Sequence, residues 1–160
     1  MSIASRYVSL PHAFKSWNPL LPSGNEPLTL SLPLHEVVVF DKVPEDLSED
    51  KYYIPLSANF AAIDALVKDA ALQHSVATDH PIKGVQTVRE VASLFPSKTL
   101  NLVFIVPESI ASGFREQPIL TTKGTPPAQK PSIRQFVVGL PLGIDTSSHR
   151  KRKLSLAMSA

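Results

Sequence analysis

Apolar and polar positions in this chain follow two different periods, and prolines mark most of the places where one gives way to the other. Val37-Val38-Val39-Phe40 is a β-branched run and predicts a buried strand. Tyr52-Tyr53-Ile54-Pro55-Leu56 predicts a short strand ended by its proline. Segments 60–67 and 72–78 mix apolar and polar residues on either side of Lys68-Asp69, the spacing of two paired strands. The alanines within 60–72 make a single helix the rival reading. Val85, Val88, Val91, Ala92 and Phe95 fall on one helical face, and Pro96 stops that helix. Leu100 to Val106 is apolar except for Asn101 and predicts a central strand. A short helix over 108–117, a loop over 121–131 and a last strand over Ile133 to Leu140 complete the pattern. A helical crossover between Thr78 and Leu100 makes this a single α/β domain, a mixed central sheet with flanking helices.

Composition changes the picture mainly at the two ends. Pro11, Pro19, Pro22, Pro27 and Pro33 leave no room for a long helix, so residues 1–33 read as a proline-rich segment. Residues 34–144 form the α/β domain and 145–160 a basic disordered tail. The net charge of +2 conceals this division. Residues 1–148 hold twelve basic and fourteen acidic groups, while Arg150, Lys151, Arg152 and Lys153 cluster in the tail. A body of net −2 has no general attraction for phosphate backbones, so contact with nucleic acid needs a local patch or that tail. The basic run is also of a kind that a nuclear-import receptor reads, and a solvated tail is the alternative. Asp41 to Asp50 is rich in acids but lacks the ligand spacing of a calcium loop, and reads as a solvated turn. The absence of cysteine removes disulfides and thiolate chemistry without fixing a compartment. No stretch approaches the ~20 apolar residues of a membrane helix, and Met1 to Leu10 makes no convincing signal peptide.

Candidate chemistry sits on the two strands around Lys68-Asp69. Side chains of a strand alternate, so Gln73 and Ser75 share one face while Leu72 and Val76 mark the other as the core side. Asp64 on the neighbouring strand is placed to join Gln73. Hydrolysis of a phosphodiester by a metal needs carboxylate oxygens on the ion and a group that orients water. Asp64 and Gln73 supply the candidate metal ligands, with Ser75, His80 and Lys83 as further candidates for the chemistry. The competing reading makes Asp64 a surface or turn acid, Gln73 an exposed amide and His80, before Pro81, a residue that closes a turn or caps the following helix.

Three blocks in this order resemble one known domain. They are Tyr52 to Asp64, Leu72-Gln73 through His80-Pro81-Ile82-Lys83-Gly84, and Leu100 to Pro107. Together with the helix between them they are similar to the C-terminal domain of Crinkler effectors and of retrotransposon hot spot proteins, over about residues 50 to 140. The resemblance implies a restriction-endonuclease-like fold of the PD-(D/E)XK type, with Asp64 as the metal-binding acid and magnesium as cofactor where the site is active. It puts Gln73 where the second acid belongs and Ser75 where the lysine belongs, so the site is expected to be degenerate. A neutral amide holds a divalent cation less well than a carboxylate, and serine brings no positive charge to a transition state. The chain is therefore expected to be a Crinkler-type effector module that binds nucleic acid or protein. An active magnesium-dependent nuclease and a truncated product without independent function are the alternatives. Nucleus or cytoplasm is the expected location, secretion follows by family analogy alone, and no membrane contact is expected.

Overall fold

The computed structural model describes residues 36–57 and 60–141, together with the backbone pairing of Asn18 and Pro19. Those two form β1 (Asn18–Pro19), and six longer strands complete the mixed sheet: β2 (Glu36–Phe40), β3 (Lys51–Pro55), β4 (Ala65–Val67), β5 (Ala70–His74), β6 (Leu100–Pro107) and β7 (Ile133–Leu140). Their order across the sheet is β1-β7-β6-β5-β4-β3-β2. β3, β4 and β5 form an antiparallel meander, whereas β5, β6 and β7 run parallel. A parallel step needs a crossover, and α1 (Val85–Ser93) supplies it between β5 and β6. The second helix, α2 (Glu108–Ala111), follows β6 directly.

Lys68-Asp69 closes the β4–β5 hairpin, so the single helix over 60–72 does not form. The strands pair Ala65 with Leu72, Leu66 with Ala71 and Val67 with Ala70. Burial against two layers outweighs the helix preference of these alanines: all six residues are buried, Ala70, Ala71 and Leu66 completely. α1 forms as its spacing predicts. Val88, Val91 and Ala92 are buried, with Phe95 following, and they pack on Leu100, Leu102 and Phe104 of β6 in one cluster. Removing a side chain of this size from water contributes roughly 1.5–3 kcal/mol.

Three expectations are corrected. Val37 to Phe40 is the edge of the sheet, with Val37 57% and Val39 59% exposed, because no further strand pairs with β2 on its outer side among the described residues. The helix over 108–117 shrinks to α2, since the chain must turn at Gly113 to carry Phe114 into the core and Gln117 towards β7. The assignment of one face of β5 to the core also fails. Leu72 faces a cluster with Val103 and Phe136, while Ala71 and Gln73 face the side of α1, and both sides are buried. Val76 lies beyond the end of the strand and is 83% exposed.

Among the described residues no helix is long and apolar enough to cross a membrane. The basic run Arg150 to Lys153 and nearly all of the proline-rich segment 1–33 lie outside the described residues.

Candidate functional site

Asp64 precedes β4 by one residue, and the pairing of Ala65 with Leu72 sets it opposite Gln73. Its backbone N–H donates to the Leu72 carbonyl at 2.8 Å. The chain diverges from β5 beyond this point, and the Asp64 side chain takes over the missing carbonyl's work. Its Oδ2 accepts the His74 backbone N–H at 2.7 Å and lies 3.3 Å from His74 Nδ1. The turn-acid role and the place opposite Gln73 are thus both present, and Oδ2 is committed to β5.

Asp64 and Gln73 line one cavity of about 620 Å³ with His80, Lys83 and Thr87. Four of the five sequence candidates therefore meet around a single space. Gln73 is 5% exposed, so it is not the exposed amide of the competing reading. Its Nε2 donates to the His74 carbonyl at 3.0 Å, and its buried Oε1 has no partner. An unsatisfied buried acceptor costs about 1–3 kcal/mol, which a ligand placed there recovers.

Ser75 does not join this group. It is one residue past the end of β5, and its hydroxyl bonds both the N–H and the carbonyl of Ala77, a local turn. Together with His74, Val76 and Leu140 it lines a separate, mostly apolar cavity of about 280 Å³ at the C-terminal ends of the parallel strands. His80 is anchored through its backbone and its ring, and it does not cap α1, whose N-cap is Gly84. Its backbone N–H donates to Gln117 Oε1 at 2.6 Å, and its ring lies edge-on to Phe104 with centroids 6.4 Å apart.

The cavity wall opposite the sheet is built from a tight approach of two loops. Ala61 and Ala62 have φ of 34° and 56°, a left-handed conformation that costs alanine roughly 1–2 kcal/mol per residue. Gly84, at φ 74°, lies so close that a Cβ there would sit 2.7 Å from the Cβ of Ala61. This close approach seats the start of α1 against the loop before β4. Tyr52 lies near Asp64, and its phenol is pushed above the ordinary 10.0 by burial first and by the Asp64 carboxylate second.

Sequence reasoning missed His74, Gly84, Thr87 and the Gln117–Gln135 pair. Gly84 next to the helical face beginning at Val85 was the one usable signal; the rest depend on contacts across the fold. Among the described residues no three His, Cys, Asp or Glu side chains converge as a metal cluster. Compared with family models, with curated proteins and with solved structures, the chain gives no match in any of the three.

Proposed function

We propose that this domain is a nuclease-like module of Crinkler type that binds nucleic acid without hydrolysing it. The observation that carries the reading is the pair of groups at the two positions where the resemblance expects acids: the carboxylate of Asp64, with one of its oxygens already spent on His74, and the neutral amide of Gln73. The succession β3, β4, β5, α1, β6 follows the order of blocks on which the resemblance rests, with Asp64 and Gln73 facing each other.

Magnesium fits the oxygens in part. The orphaned Gln73 Oε1 and the second oxygen of Asp64 suit a hard cation, which takes one or two carboxylates and completes its shell with water or phosphate. When bound, it would supply positive charge to a phosphate. Hydrolysis by the nuclease pattern requires a second negative ligand where Gln73 stands and a cation where Ser75 stands, and Ser75 is turned away into its own hydrogen bonds. Lys83 lines the cavity and is exposed, which suits contact with a phosphate.

Purified chain mixed with plasmid DNA or single-stranded RNA and magnesium or manganese should retard the nucleic acid in a gel and leave it uncut. Nicking that disappears in Asp64→Asn would replace this reading by the active nuclease. The asparagine keeps an oxygen for the His74 N–H, so lost cleavage could not be ascribed to a lost strand contact. Absence of binding would end the nucleic-acid reading. The tail belongs to the same proposal: a reporter carrying residues 141–160 should accumulate in nuclei. Accumulation unchanged by alanines at Arg150, Lys151, Arg152 and Lys153 would remove the import role.

A further inference from the structure

α1 begins without a side-chain cap. Its N-cap is Gly84, and there is no acid in its first turn. The first N–H groups of a helix have no acceptor within it, and here they belong to Val85, Gln86 and Thr87. Lys83, Gly84 and Thr87 line the cavity that holds Asp64 and Gln73, so the positive end of the helix opens on that space. Such an end favours an anion, and phosphate above all.

Gln73 points to a ligand independently of the helix. Its Nε2 is bound to a carbonyl, which fixes Oε1 as an acceptor, and that atom is buried without a partner. An acceptor calls for a cation or a hydrogen-bond donor, the opposite of what the helix end calls for. Asp79 adds a second carboxylate to this cavity. A bare phosphate therefore meets two like charges, and a bare divalent cation finds an incomplete shell. A ligand that brings both satisfies both ends.

We propose that the cavity receives a phosphate monoester together with a divalent cation. The phosphate sits on the start of α1 with Lys83 and the Thr87 hydroxyl, and the cation lies between it and the oxygens of Asp64 and Gln73. A space of about 620 Å³ has room for a nucleotide. This rests on the nucleic-acid reading of the same cavity and deepens it by adding a preference for a terminal phosphate over the interior of a strand.

Titration calorimetry on the full chain tests the coupling, with inorganic phosphate and magnesium chloride as probes, each alone and each with the other saturating. Magnesium should raise the affinity for phosphate at least tenfold, and phosphate should raise that for magnesium by the same factor. Lys83→Ala and Thr87→Val should each weaken phosphate binding several-fold in the presence of magnesium. Gln73→Met should abolish the mutual enhancement, with thermal melts confirming that each variant is folded. No mutual enhancement, or one that survives all three substitutions, overturns the proposal.

A second arm identifies the source of the phosphate. Short oligonucleotides with a 5′-phosphate should bind at least tenfold better than their 5′-hydroxyl counterparts if strand ends are the ligand. Coupled phosphate binding with a nucleoside monophosphate but no oligonucleotide binding upholds the pocket and removes the nucleic-acid reading. Oligonucleotide binding without phosphate–magnesium coupling, unchanged in Lys83→Ala and Thr87→Val, removes the pocket and leaves that reading standing.

Discussion

Glutamines are buried at two places on the helix side of the sheet, and they are treated differently. Between α2 and β7, Gln117 and Gln135 exchange hydrogen bonds: the Gln117 N–H donates to Gln135 Oε1 at 2.8 Å, and Gln135 Nε2 donates to the Gln117 carbonyl at 2.9 Å. The Gln117 side chain then accepts from the His80 N–H and donates to the carbonyls of Thr78 and Arg115. Its amide oxygen and nitrogen are both satisfied, and the loop over 78–80 is pinned to β7 as a result. At the open end of the β4–β5 hairpin, Gln73 is buried to a similar degree, keeps Oε1 unpaired and lines a cavity. Burial of an amide is therefore no sign of function by itself. Here the orphaned oxygen and the neighbouring cavity together separate a brace from a binding group. Asn101 shows why both are needed: its Oδ1 is also unpaired, yet its Nδ2 ties down the turn at Asp69 and it does not line the cavity of Gln73.

Substituting the two glutamines alike should break the comparison most plainly if it is wrong. Gln117→Met strips partners from the His80 N–H and from two carbonyls, and should cost about 3 kcal/mol in urea unfolding. Gln73→Met removes one hydrogen bond and one unsatisfied acceptor together, so its stability should stay within about 1 kcal/mol of the parent. Equal losses would mean that Gln73 is a brace too.

Gly84→Ala sharpens the same contrast at the cavity wall. A methyl group placed 2.7 Å from the Ala61 Cβ, on a backbone at φ 74°, should lower stability by about 2 kcal/mol. A change under half of that would show that the Ala61 loop yields freely and does not hold the start of α1.

The smallest effect concerns alkaline pH. The folded state holds the Tyr52 proton more tightly than the unfolded chain does, so this contribution is complete below 10.0 and declines as the pH rises past that value. Urea midpoints of Tyr52→Phe, compared with the parent near neutrality and above 10.0, should fall less steeply. Identical slopes would show that Tyr52 has no part in the alkaline loss.

Local patterns determined much of the architecture directly. Lys68-Asp69 marked the hairpin, the spacing of Val88, Val91 and Phe95 marked the buried face of α1, and the run from Ile133 to Leu140 is β7 residue for residue. The opposition of Asp64 and Gln73 followed from the hairpin, because alternation and a two-residue turn leave little choice of register.

Only the tertiary structure decided which strand is an edge, which face of β5 carries α1, and that Ser75 leaves the site. The physical reason is that periodicity reports whether a side chain is covered, not by what. A sheet buried on both faces silences the alternation that separates core from solvent, as Ala71 and Leu72 show. Polar satisfaction is equally non-local: Gln117 is separated from His80 by 37 positions, and Asp64 Oδ2 finds the His74 N–H only once β5 lies beside it.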